Sequence, residues 1–389
     1  MPKVSIVKCE NYDQHNVHEA VNKSLDLIGG LSNIIKPGDK VLIKPNILMG
    51  VGPDHATTTH PSVVAAIINE VKKAGGIPFI GDSPGNAISN YSNVLKKTGI
   101  QKAVDDTKSE IVNFSKEIVE VKSPSNNQNI PVLHLTKAVF DADVIISAPK
   151  LKSHNFTLFT GAVKNMFGAV PGFHKGNYHS RAPKPEQFSE ALVDILEITK
   201  PQVAVMDAIV GMEGPGPANG IPRKVGLIIA SYDLVALDSI CAKIIGYDPA
   251  EIDHLKIANK RKLGEINLSN IDIIGEEIGN LIIKDFKLAN NSNFILKRLP
   301  SFIVWLAGKI ISKHLRVEPV INPEECTYCQ VCIKSCPVNT IEANRQKNAA
   351  VIKHNKCIMC FCCHELCEFR AITIRRSWLA KMMSLGNEN

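Results

Sequence analysis

Apolar residues along the first three-quarters of the chain follow two alternating periods. Short, near-continuously apolar runs rich in β-branched residues occupy positions 4–8, 40–44, 77–81, 143–148, 203–206 and 225–230. That is the pattern of strands buried on both faces of a sheet. Between them, apolar residues recur at helical spacing over 18–27, 62–73, 185–198 and 234–245. Pro61 and Asp233 are suitable helix starts, and Gly75-Gly76 and Gly246 suitable stops. The alternation predicts an α/β domain over residues 1–283, a mostly parallel sheet with flanking helices. Beyond it the pattern changes. Residues 284–318 read as a basic connector, helical and amphipathic over 286–317 and broken at Pro300, and 319–389 as a short cysteine-rich module.

In parallel sheets the functional loops gather beyond the carboxyl ends of the strands. Four predicted strands run into polar, Gly/Pro-punctuated sequence there: Lys44-Pro45-Asn46, Asp82-Ser83-Pro84-Gly85, Pro149-Lys150-Leu151-Lys152-Ser153-His154, and Asp207 followed by Glu213-Gly214-Pro215-Gly216-Pro217. Lys150, Lys152 and His154 are expected in a loop beyond a buried strand. Lysines are rarely buried unpaired, so Lys44, Lys150, Lys152 and Lys164 at one edge imply either an anionic ligand or carboxylate partners. The functional reading makes Lys150, Lys152 and Lys164 the groups that bind or protonate a small anion, with His154 as proton donor. Lys44, Asn46, His60, Asp82 and Ser83 would complete the binding site. For His60 a satisfied loop residue before Pro61 is an equal alternative, and Asp238 reads as structural. His174 and His179 lie in a stretch, 171–185, that reads as a lid or as a long surface loop.

Composition narrows the classes. The chain of 389 residues is 44% hydrophobic and 21% charged, as a folded globular protein is. The net charge of +7 is lopsided: residues 284–318 carry +5, 319–389 carry +3, and the first 283 about −1. The connector therefore reads as a strut docking the module, with peripheral membrane contact as the other reading. No apolar run approaches a membrane span and no signal-peptide core follows Met1, so a cytoplasmic protein is expected. Aromatic residues make up 5% and no nucleic-acid-binding pattern occurs, so no nucleic-acid partner is expected. The phosphate loops of nucleotide-binding proteins and the Gly-x-Ser-x-Gly elbow are missing.

Nine of the eleven cysteines fall between Cys326 and Cys367. They form a duplicated run, Cys326-x2-Cys329-x2-Cys332-x3-Cys336-Pro337 and Cys357-x2-Cys360-x2-Cys363-x3-Cys367. In this run the fourth cysteine of each half serves the other half's cluster. Two [4Fe-4S] clusters are expected, one on Cys326, Cys329, Cys332 and Cys367, the other on Cys357, Cys360, Cys363 and Cys336. The module resembles bacterial-type two-cluster ferredoxins over residues 318–375, which implies a small α+β ferredoxin-like iron–sulfur unit. It departs from them at Cys367-Glu368, where a carboxylate replaces the usual proline and is expected beside one cluster. Cys362 is a spare thiol.

The main domain also carries a family pattern. Lys44-Pro45-Asn46, Thr59-His60-Pro61, Gly81-Asp82-Ser83-Pro84-Gly85, the run from Pro149 to His154, Thr160-Gly161-Ala162-Val163-Lys164-Asn165 and Met212-Glu213-Gly214-Pro215-Gly216-Pro217 resemble the domain of unknown function 362 family over residues 38–245. Members often carry a fused ferredoxin module. The resemblance implies a redox protein with a pocket and supplies no reaction. The expected function is an iron–sulfur redox protein that takes electrons from a partner protein and passes them through two clusters to a small anionic substrate or cofactor. The alternatives are a ferredoxin-like carrier with a partner-docking domain and an assembly factor whose clusters are structural.

Overall fold

The computed structural model describes residues 1–85, 90–289 and 317–377. The connector expected over 286–317 falls almost wholly outside the described residues. The main sheet contains β1 (Lys3–Lys8), β2 (Lys40–Pro45), β3 (Ile77–Asp82) and β4 (Glu110–Asn113). A small hairpin of β5 (Ile118–Lys122) and β6 (Val132–Thr136) stands apart from it. The sheet continues with β7 (Val144–Ala148), β8 (Lys150–His154), β9 (Leu158–Thr160), β10 (Val203–Glu213), β11 (Ile221–Ser231) and β12 (Asp272–Gly275). Its order is β12-β1-β11-β10-β7-β2-β3-β4. The strands from β10 to β4 run parallel, and β11 is antiparallel to both its neighbours.

The two-residue period of the strands builds a core on each face. Val41 and Ile43 of β2 pack with helices Gln14–Ile28 and Pro61–Lys73, while Leu42 between them packs with Phe188 and Leu192 of helix Pro185–Thr199. The helix starts follow the sequence signals: Asp233 accepts from the amides of Val235 and Ala236, both at 2.9 Å, and Pro61 opens its helix. Phe286 and Ala289 are buried against the same domain, and the Ala289 carbonyl accepts from Tyr247 Oη at 2.8 Å.

Two segments differ from expectation. Lys150–His154 is the strand β8 and not a loop: Pro149 interrupts the ladder after β7, and β8 then pairs with the outer half of β10 and with β9. A bulge between Ala208 and Val210 lets β10 serve β7 first and β8 second. Asp207 thus lies within β10. The second difference is helix Gly172–Arg181, which occupies the stretch read as a lid or surface loop.

The C-terminal module pairs β13 (Val317–Ile321) with β16 (Ile372–Arg376) and β14 (Ile341–Asn344) with β15 (Ala349–Ile352). A short helical turn sits within each cysteine run, Val331–Lys334 and Cys362–Glu365. The module is seated on the carboxyl edge of the main sheet. Phe361 is buried in the core beside Phe188, Asn219 Nδ2 donates to the carbonyls of His364 (3.2 Å) and Ile372 (3.4 Å), and Arg370 meets His55 at 2.8 Å.

Candidate functional site

A cavity of about 400 Å³ lies between the ends of β2 and β3, the inner face of β8, and the module. From the α/β domain its wall takes Asn46, Asp82, Ser83, Lys152, Lys164 and Lys175; from the module it takes Lys334, Cys336, Cys362 and Glu365. The expected residues divide into those that reach this cavity and those that support it from behind.

Lys44 is fully buried at the end of β2, and its Nζ lies 2.7 Å from Asp82 Oδ1. It also donates to the Pro45 carbonyl at 3.0 Å and to Asn165 Oδ1 at 3.3 Å. Asp82 Oδ2 accepts from the Ile47 amide at 2.6 Å, so this carboxylate also pins the turn after β2. Gly168 is required here: a Cβ would stand 1.9 Å from Asp82 Oδ1 and 2.4 Å from Lys44 Nζ. Lys44 therefore has its carboxylate partner and does not line the cavity.

Lys150 is likewise satisfied within the protein. Its Nζ lies 2.9 Å from Asp207 Oδ2 and donates to Tyr12 Oη at 2.6 Å. Tyr12 Oη in turn donates to Asp207 Oδ1 at 2.9 Å. His60 stacks on Tyr12 with ring centroids 3.7 Å apart, and its Nδ1 accepts from the Ser62 amide at the helix start. His60 is a helix cap and Lys150 half of a buried ion pair, and neither lines the cavity.

Lys152 differs. It is 1% exposed, and its Nζ donates to Asn46 Oδ1 and the Thr57 carbonyl, both at 2.7 Å, with no carboxylate bonded to it. Burial holds it well below the usual lysine range, and the charge of Lys164 adds to that. Lys164 projects from the helical turn Ala162–Asn165, whose first amides, of Ala162 and Val163, donate to Asp238 at 2.6 and 2.9 Å. Asp238 thus has the structural role expected of it. Burial lowers Lys164 too, against the opposing charge of Glu365.

His154 Nδ1 accepts from the amides of Phe156 (3.1 Å) and Thr157 (3.3 Å), which leaves the proton on Nε2. That nitrogen lies 3.4 Å from Glu365 Oε1, short of hydrogen-bonding geometry. His154 stands behind Glu365 and outside the cavity wall.

Three charged cavity groups escaped the sequence reading, Lys175, Lys334 and Glu365. Lys175, from helix Gly172–Arg181, donates to the carbonyls of Ser83 and Pro84, and burial lowers it to about 7. Glu365 enters from the module, and burial raises it to about 7 although Lys164, Lys152 and Lys175 oppose the rise. His179, on the same helix as Lys175, is buried against Phe188 with ring centroids 4.4 Å apart; it also lines the cavity.

None of the cysteines forms a disulfide. The charges of Cys329, Cys367 and Cys326 act on Cys332, which burial raises to about 11. Cys357 faces Cys360 and Cys336, and Cys363 faces Cys360, Cys357 and Cys336 as well as Cys332. Among the described residues no three His, Cys, Asp or Glu side chains converge on one point as a single metal ion requires. Two all-thiol quartets supply the donor set of two cubanes, in which each thiolate binds a different iron. The first group faces outward, with Cys329 exposed, whereas Cys336, Cys360 and Cys363 are buried and Cys336 lines the cavity. Cys362 is buried, hydrogen-bonded to Cys360, and lines the cavity as well. Glu368 reaches Lys97 of the α/β domain at 3.9 Å. Its carboxylate thus contributes to docking the module.

Comparisons with known proteins find two family matches. A family model described as a domain of unknown function (DUF362) matches residues 41–243, and one described as a 4Fe-4S dicluster domain matches residues 318–368. The thylakoid-associated protein sll1697 of Synechocystis sp. (strain ATCC 27184 / PCC 6803 / Kazusa) is 39% identical over 262 residues, covering 67% of this chain and 79% of that protein. Among solved structures, the lactate racemase apoprotein from Thermoanaerobacterium thermosaccharolyticum matches with a TM-score of 0.41 and 12% identity. That match covers 60% of this chain and 54% of the racemase, so this chain spans about half its length. A loganic acid methyltransferase with SAH matches with a TM-score of 0.22 and 10% identity, over 80% of this chain and 73% of that one. Among the described residues no helix is long and apolar enough to cross a membrane.

Proposed function

The chain belongs to the domain of unknown function 362 family and carries a 4Fe-4S dicluster domain, and from this we propose a redox protein that holds a small anion in its α/β domain, against the module. One cluster would be held by Cys326, Cys329, Cys332 and Cys367, the other by Cys357, Cys360, Cys363 and Cys336. Bound clusters of this type supply one-electron transfer. The observation that carries the reading is the shared wall: Cys336 of the second quartet and the lysines Lys152, Lys164 and Lys175 line one cavity. Lys164 and Lys175 act as the anion's counter-charges, Asn46 and Ser83 orient it, and the Lys44–Asp82 pair holds the loops that carry them. His154 positions Glu365 and does not touch the ligand. The exposed Cys329 marks the face at which a redox partner protein would dock, and no nucleic acid is involved. We keep the cytoplasm as the location, with a membrane surface as the alternative that the cyanobacterial relative's printed name favours.

The test uses the anaerobically purified protein, with phosphate and oxalate titrated as probes and any co-purifying anion identified by mass spectrometry. Lys164→Gln should weaken the better probe about tenfold to a hundredfold, the size expected for losing a charged hydrogen bond. Iron content should not change. If neither probe binds and no anion co-purifies, the carrier reading replaces this one.

The pH dependence has a defined sign. A lysine lowered to about 7 loses its positive charge as pH rises through that value. Facing Lys175 are Asp82 and Glu365, which favour its charge, and Lys44 and Lys164, which oppose it. Affinity for oxalate should therefore fall between about pH 6 and pH 8. In Lys175→Met that part of the fall should be absent; a profile that Lys175→Met leaves unaltered would assign the dependence elsewhere.

A further inference from the structure

Three buried lysines lie on two strands of one sheet, Lys44 on β2 and both Lys150 and Lys152 on β8, and they are built differently. Lys44 and Lys150 each sit on a carboxylate, Asp82 and Asp207, at 2.7 and 2.9 Å. Lys152 has only neutral partners, Asn46 Oδ1 and the Thr57 carbonyl, and both can only accept. An ammonium carries three N–H donors, whereas a neutral amine carries two and a lone pair. Two donated bonds use every N–H of a neutral amine and leave the lone pair as the fourth tetrahedral position on Nζ. Lys152 lines the cavity, where a bound ligand can take that position. An ammonium here would be desolvated without a bonded counter-charge, which is costly. Burial and the charges of Lys164 and Lys150 favour the neutral form, against Glu365 and Asp82. A desolvated lysine beside a second cation is a nucleophile for carbonyl compounds.

We propose that Lys152 condenses with the carbonyl group of a small 2-oxo acid held in the cavity. This rests on the anion-binding reading above and names its ligand class. The Nζ lone pair forms a bond to the carbonyl carbon, and the carbonyl π electrons move to oxygen, which takes up a proton. The nitrogen gives up both its protons as the C=N bond forms, and the oxygen leaves as water. Amine plus carbonyl gives imine plus water, with no change in oxidation state. The Lys164 ammonium, on the same wall, donates to the departing hydroxyl, and the carboxylate of the oxo acid lies against Lys164 and Lys175. Asn46 and the Thr57 carbonyl fix the direction of attack.

The experiment treats the full-length protein, purified anaerobically with its clusters, with pyruvate and sodium cyanoborohydride, and maps the modified lysines by peptide mass spectrometry. An ordinary solvated lysine is only about 0.04% neutral at pH 7. Lys152 should therefore acquire the carboxyethyl group on the order of a hundredfold faster than such a lysine does. Oxalate, which is an anion but cannot condense, should protect it. Lys152→Met should lose the label with iron content unchanged; if that variant does not fold, the wild-type map still decides. Binding of oxalate without labelling of Lys152, or labelling of Lys175 in its place, overturns the imine and leaves the anion reading standing. Absence of binding by both oxalate and pyruvate overturns both.

Discussion

Asp207→Ala is expected to cost about 3–5 kcal/mol of stability, the range for removing one partner of a buried ion pair. Asp207 is fully buried and accepts four bonds. These come from Lys150 Nζ at 2.9 Å, Tyr12 Oη at 2.9 Å, the His60 amide at 2.8 Å and the Ile209 amide at 3.3 Å. The network ties β10, β8, the segment before helix Gln14–Ile28 and the start of helix Pro61–Lys73. Deleting the carboxylate strands the Lys150 ammonium where water cannot reach it. Removing both charges, as Asp207→Asn with Lys150→Met, should recover most of the loss, because the desolvation cost disappears with the pair. Urea denaturation of the two single variants and the double variant measures the coupling. Neither residue lines the cavity, so oxalate affinity in the folded fraction should stay near wild type. A loss under about 1 kcal/mol for Asp207→Ala would mean that Lys150 adapts by giving up its proton.

The parallel sheet was legible because its central strands are short, almost wholly apolar and flanked by capped helices. Hydropathy carries that signal directly. It fails at β8, Lys150-Leu151-Lys152-Ser153-His154, whose side chains are all buried although four of the five are polar. Such a segment looks like a loop until its partners are known, and Asp207, Asn46 and Thr57 come from distant positions. The choice left open for the lysines, an anion or carboxylate partners, resolves residue by residue: Lys44 and Lys150 have carboxylates and Lys152 has none. Helix Gly172–Arg181 lacks an apolar stripe and contains two glycines, so periodicity could not find it. Lys175 and Glu365 meet across the seam between the two units, and no local pattern encodes that meeting. The iron–sulfur module was legible because cysteine spacing is itself its signature, and the dicluster family model matches it over residues 318–368.

The two cysteine quartets should differ in what they do for the cavity. If each holds a four-iron cluster, the intact protein carries about eight irons, and Cys329→Ala and Cys363→Ala should each lose about four of them. Their further consequences diverge. Cys329 is exposed, on the side of the module away from the cavity wall. Cys363 is 8% exposed, packs in the small module core with Cys336, Ile341 and Ile372, and belongs to the helical turn that carries Cys362 and Glu365. Ligand binding at such a site is also folding energy, because the free quartet is not held in place otherwise. Losing the second quartet should therefore loosen that turn, withdraw Glu365 and Cys336 from the wall, and raise the oxalate Kd at least about tenfold. Losing the first should leave the wall in place and the Kd within about twofold of wild type. Iron analysis and calorimetric titration on both variants measure the difference. If Cys329→Ala and Cys363→Ala weaken oxalate equally, the module acts on the cavity as a single folding unit, and the second quartet has no separate part in shaping the site.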